Sequence, residues 1–345
     1  MGYTVTAKMV NIEDWSEYDV RHWTQDVVKN KIVKPNAVDP KYLLIYTSNE
    51  VIVFNKNGEV VLQKTFDFTV DKVRINNNGD FIIKSGSTIY IYDINGNLLY
   101  QNTYATSICE IDIGLNYVWV SLSNNPRDIF VIDLSVFSVV IYNISLIGNY
   151  YYPLRCSENG DKAVTTDGKA SEPGSIIFIT KDGSTKKINL GVDGKPDILR
   201  VRPDGGFAFV ASLQAFGPVR IFAGRFDGAK ALLGSVSKDA QAAIAISVNG
   251  DKIAFIADGE LTIYKKLLNI ETMEVSDAGT VGVPEPIDSV TSPDACLDMT
   301  PDGNYIVIPS GSKIRIIEWE TNIIKKEVTK NITYSYYAVL SVEVT

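Results

Sequence analysis

Three arginines, Arg74, Arg155 and Arg200, stand at one equivalent place just ahead of three similar turns, and Glu110, Ala245 and Asp298 fill that place ahead of three others. Guanidinium forks suit carboxylate and phosphate oxygens. Brought to one axis, the arginines would make an anion-binding funnel. Paired with the two acids, the same residues would instead keep charges satisfied in a narrow, water-filled channel. Both readings are open at the level of sequence. Bond-making chemistry has less to draw on. His22 is the one histidine, so mechanisms that need two are excluded, and a Ser-His-Asp set would have to use His22 itself without a Gly-x-Ser-x-Gly elbow. There is no P-loop, no Gly-x-Gly-x-x-Gly and no EF-hand loop. Cys109, Cys156 and Cys296 are odd in number and far apart, which argues against a zinc site and a disulfide framework and for buried apolar thiols. The sequence therefore predicts no catalytic set, no metal and no cofactor.

The elements that must position these residues repeat. The stretch VRINNNGDFIIKS from Val73 recurs as LRCSENGDKAVTT from Leu154, LRVRPDGGFAFVAS from Leu199, IAISVNGDKIAFIA from Ile244 and LDMTPDGNYIVIPS from Leu297. Weaker copies start at Ile111, without the turn glycine, and at Ile32, for seven in all. Each unit continues into a hairpin such as TIYIYDINGNLLYQNTY, where period-two alternation flanks an Asn-Gly or Asp-Gly turn. Asp93 in that hairpin reads as a turn-former that bonds its own backbone.

Four short strands repeated at intervals of 45, 45 and 53 residues between Gly160, Gly205, Gly250 and Gly303 are the pattern of a β-propeller. The expected fold is all-β, a seven-bladed propeller of four-stranded antiparallel blades, with eight blades as the rival. On this pattern the chain divides into three parts. Residues 1–30 are an extension holding a candidate closing strand and a short helix or lid. Residues 31–331 carry seven repeats, at about 31–67, 70–105, 107–146, 151–191, 197–237, 242–282 and 295–330. Residues 332–345 form a C-terminal strand that closes the ring.

Composition narrows the partners. Lys plus Arg number 33 against 41 Asp plus Glu, a net charge of -8, and no basic cluster exceeds a Lys-Lys pair, so nucleic acid is not expected. No apolar run reaches the ~18 residues that span a bilayer. MGYTVTAKMVNIEDW lacks the charged and apolar regions of a secretory leader. A cytoplasmic location is expected, with a surface or virion location also compatible.

The Pro-Asp-Gly turns at 203–205 and 301–303 and the Asp-x-x-Gly turn at 93–96 carry a resemblance to WD40-like and quinoprotein-like propellers, including lactonase-type repeats. No blade ends in Trp-Asp, no sialidase-type Asp box is present and no kelch double glycine recurs. The resemblance implies a non-catalytic scaffold that binds another protein, a glycan or a small anion through its channel mouth and rim loops. A propeller enzyme or lactonase-like small-molecule receptor is the alternative, since carboxylates from different blades can meet without local spacing. A structural protein of a virus or cell envelope is a further one. Arg74, Arg155, Arg200, Glu110 and Asp298 are the candidate ligand-binding residues, at the channel.

Overall fold

The computed structural model describes residues 3–10, 17–25, 31–56, 59–124, 126–144, 153–169, 172–213, 218–238, 242–257, 261–285, 297–310 and 313–329. Seven four-stranded antiparallel sheets follow one another along the chain, each a simple meander of consecutive strands, and no helix occurs among these residues. Blade 2 is typical, with strands Lys72–Ile75, Phe81–Ser85, Thr88–Tyr92 and Leu98–Thr103. The first strands of neighbouring blades lie against one another and form the inner wall. In order from blade 1 they are Lys31–Val33, Lys72–Ile75, Ile108–Ile113, Leu154–Cys156, Lys195–Val201, Ala242–Ile246 and Asp298–Met299. Lys34 Nζ meets Asp298 Oδ2 at 2.5 Å, which joins blade 1 to blade 7 and closes the ring. The fold is a seven-bladed β-propeller.

Packing follows from the two-residue pleat. In blade 2, Val73, Ile75, Phe81 and Ile83 face blade 1, while Ile82, Ile89 and Ile91 face blade 3. The same sharing repeats from blade 3 through to blade 7, each apolar cluster drawing on two adjacent sheets. No blade has a core of its own. Burying an Ile or Phe side chain is worth about 1.5–3 kcal/mol, so most of a blade's stability resides in its junctions.

Turns are set by backbone chemistry. Gly79, Gly160, Gly205, Gly250 and Gly303 adopt φ between 69° and 87° after the first strand, a region L side chains avoid. Asp93 Oδ1 accepts from the backbone N–H groups of Asn95 and Asn97 at 2.9 and 2.8 Å, the self-bonded turn expected there. Cys109 and Cys156 are buried free thiols. Successive turns also bond to each other: Asn116 N–H donates to Asn159 O at 3.0 Å, Glu158 N–H to Pro203 O at 2.6 Å and Val248 N–H to Pro301 O at 2.7 Å.

The extension departs from its sequence reading. Residues 17–25 are a β-strand, not a short helix, and pair antiparallel with 3–10 in a separate two-stranded sheet. The 3–10 strand thus joins no blade, and an eighth blade does not form from it. The closing strand expected at 332–345 lies outside the described residues.

Gly160 tests how tightly the junctions are drawn. A Cβ there would lie 2.7 Å from Tyr117 O of blade 3, whereas at Gly86, with φ 57°, it would meet nothing within 4 Å. Gly86→Ala is expected to cost about 1–2 kcal/mol for its left-handed backbone. Gly160→Ala, with φ 78°, should cost at least about 1 kcal/mol more. Urea unfolding compares them; equal losses would mean that the blade 3–blade 4 junction imposes no steric limit.

Candidate functional site

Strand register identifies which residues face the axis at one level. Arg74 pairs with Ile82, Asp112 with Trp119, Arg155 with Val164, Arg200 with Phe209, Ala245 with Ala254 and Asp298 with Val307, each the second ladder pair before the first turn. Blade 1 stops earlier, and Val33, paired with Leu44, takes the corresponding place. All seven of these residues line one cavity of about 170 Å³ at the centre of the ring. By the criterion that one water needs roughly 10–15 Å³, this is room for about ten waters.

Four side chains at this level make contacts with the following blade. Arg74 Nε lies 3.9 Å from Asp112 Oδ1 in the next blade. Asp112 Oδ2 accepts from Cys156 N–H, one blade further, at 2.8 Å. Arg200 Nε donates to Ile244 O at 3.1 Å, and Asp298 meets Lys34. Each therefore ties its blade to the following one. Two residues further from the turn, Lys72 Nζ and Glu110 Oε1 form a second tier at 2.5 Å.

The two acids of blade 3 titrate in opposite directions. Burial pushes Glu110 up, but Lys72, Arg74 and Arg155 together more than offset it, and its carboxyl is held below the ordinary 4.5. Burial also pushes Asp112 up, and there Arg155, Arg74 and two backbone N–H bonds offset only part, leaving it above 3.8. A carboxyl lowered on folding stabilises the fold above its unfolded value and loses that contribution as pH falls through its folded value; a raised one contributes below its unfolded value and loses it as pH rises through its folded one.

One mouth of the channel is plugged. In place of a short turn, blade 1 has residues 34–41, KPNAVDPK, whose Lys34, Pro35, Asn36, Ala37 and Pro40 line the cavity. Asn36 Nδ2 donates across the ring to Cys156 O of blade 4 at 2.7 Å, and Val38 N–H donates to Glu158 Oε2 at 3.2 Å. Asn77 of blade 2 donates to Asp39 O and accepts from Lys41 N–H, both at 2.9 Å. The loop spans three blades.

Of the residues singled out from sequence, Arg74, Arg155, Arg200 and Asp298 meet at the cavity with Ala245 between the last two. Glu110 does not: Asp112 occupies its expected place. Asp112 is the second residue of the copy that starts at Ile111, as Arg74 is of the copy that starts at Val73, so Glu110 stands two residues too early for this place. Lys34 and Asn36 had no signal beyond the weakness of the first repeat. The sequence insertion at 167–175 lengthens two strands of blade 4, where the fully buried Asp167 receives Lys187 Nζ at 2.7 Å. No group of three or more His, Cys, Asp or Glu side chains placed to hold a metal occurs among the described residues. Among the same residues, no helix is long and apolar enough to cross a membrane.

Residues 19–125 match a family model described as a family of unknown function, DUF5711. No curated protein matches the chain. Among solved structures it is similar to Hsv2 of Kluyvelomyces marxianus (12% identity, 88% of this chain and 99% of that one, TM-score 0.62). It is also similar to the β-propeller domain of Cps50 (Swd1) of Myceliophteria thermophila (11%, 85% and 98%, 0.56) and to a complex of KlAtg21 with the coiled coil of AgAtg16 (12%, 89% and 100%, 0.65). At these identities the likeness establishes the propeller fold.

Removing Lys72 should expose the charge coupling. Lys72→Met is expected to destabilise the protein by about 1–3 kcal/mol near neutral pH. The gap to the wild type should then narrow as pH falls through 4.5 towards the lower folded value of Glu110. A gap that stays constant over that range in denaturant titrations would rule out Glu110 as its source. Asn36→Ala leaves Cys156 O without that donor, and should cost about 1–3 kcal/mol and speed hydrogen exchange across 34–41.

Proposed function

We propose that this protein is a non-catalytic β-propeller scaffold that binds another protein along the outer edge of blades 1–3. The observation that carries the reading is an apolar stripe on three consecutive outermost strands, Val60–Thr65, Leu98–Thr103 and Val139–Ile144. Val60, Val61, Leu98, Leu99, Val140 and Ile141 are between 41% and 54% exposed. Contiguous exposed apolar surface marks interaction sites on soluble proteins.

The edges touch one another. Lys64 Nζ donates to Gly96 O at 2.9 Å, and the Tyr100 and Phe137 rings stack at 5.5 Å, so the edge strands of blades 1 and 2 each reach the outer turn of the next blade. Outermost strands also present unpaired backbone groups, which proteins commonly blunt with charge. LLYQNT and VVIYNI carry none, whereas the corresponding strand of blade 4 opens Thr-Lys-Lys. An extended apolar segment added to such an edge would gain ladder hydrogen bonds and side-chain burial together. A similar propeller in complex with a coiled coil is one instance of this shape taking a protein partner. The plugged mouth supports a rim surface over a channel-entrance one.

The test compares the wild type with a Leu98→Lys/Val140→Lys double variant. Both positions are exposed, so stability should change by less than about 0.5 kcal/mol at each. Proteins retained by the immobilised wild type from a native lysate should be lost with the variant. An identical retained set would remove the reading. So would a wild type that self-associates in light scattering while the variant is monomeric, because the occupant would then be a second copy of this chain.

A further inference from the structure

We infer that the axial cavity binds one small oxyanion, of the carboxylate or phosphate class, held by Arg155 and Arg200. This site is independent of the rim surface. Charge is its first ground. Lys34, Arg74, Arg155 and Arg200 line the cavity against Asp112 and Asp298, four cations to two carboxylates, inside a chain whose net charge is -8. Each of the four has local contacts; the excess belongs to the set.

Geometry is the second ground. The acids sit at two separated points of the ring, Asp112 between Arg74 and Arg155 and Asp298 beside Lys34. Arg155 and Arg200 are direct neighbours with no acid between their blades at this level, and the next place holds only the methyl of Ala245. Both arginines line the cavity while also bonding backbone, Arg155 Nη1 donating to Leu154 O at 2.8 Å and Arg200 Nε to Ile244 O, and a guanidinium's planar fork is matched to two-oxygen acceptors. Across from them Val33, Pro35, Ala37 and Met299 add apolar surface beside the Lys34–Asp298 pair. An anion with a short apolar body fits both walls. A strongly hydrated bare charge would lose water against the apolar side without compensation.

The experiment is calorimetric titration of the full chain with inorganic phosphate, acetate and succinate separately, at constant ionic strength, with chloride as the reference. At least one oxyanion should give saturable one-to-one binding that chloride does not, and the phosphate and carboxylate arms decide the source. Arg155→Met/Arg200→Met should weaken it at least tenfold. Ala245→Asp, which places a carboxylate beside Arg200 from within the chain, should do the same, and it keeps the test open if the double variant does not fold. Absence of saturable binding to any of the three in the wild type overturns the inference. Unchanged affinity in a folded variant of either kind does so as well.

Discussion

From blade 1 to blade 7, each junction between consecutive blades is filled by an apolar cluster drawn from both sheets. Phe81 and Ile82 are adjacent in sequence, point to opposite sides of one sheet and are both fully buried, in clusters shared with blades 1 and 3. A sheet of four strands has no other way to dry both faces. Seven sheets arranged in a row would leave two wet faces at the ends, and the ring exists because closing it removes them. The crowded axis is a geometric by-product: seven short inner strands converge, and whatever side chains they carry at one level are forced into company.

That company is largely polar, and four of its side chains reach for the following blade. Arg74, Asp112, Arg200 and Asp298 all make their contacts forward round the ring. The loop at 34–41 adds connections that skip neighbours, joining blade 1 to blade 4 through Asn36 and Glu158. Junction packing sets the stability, while the axial level and the loop determine what the centre can hold.

The repeat was legible because it rests on local rules: alternation for strands, and a left-handed turn residue that is glycine in five of seven units. Four of the five expected channel residues follow from the same register. The misplacement of Glu110 for Asp112 is a slip of two residues, which keeps the same face of the strand and so leaves its alternation unchanged. The extension misled for a different reason. Residues 17–25 are short and mixed in character, and their state depends on a partner strand at 3–10 rather than on any signal of their own. The plug was invisible because its bonds reach from Asn36 to residue 156, and no spacing rule links positions so far apart.

The number of blades has an electrostatic meaning. Around a ring of even membership, positive and negative side chains can alternate without interruption, and the circle closes neutral. Around seven they cannot: parity forces two like charges together or leaves a place uncharged. This ring does both, setting Arg155 beside Arg200 and giving Val33 and Ala245 no charge at all. The odd count forbids alternation, and the two uncharged places then leave three arginines facing two acids at this level, an excess that a foreign anion would offset.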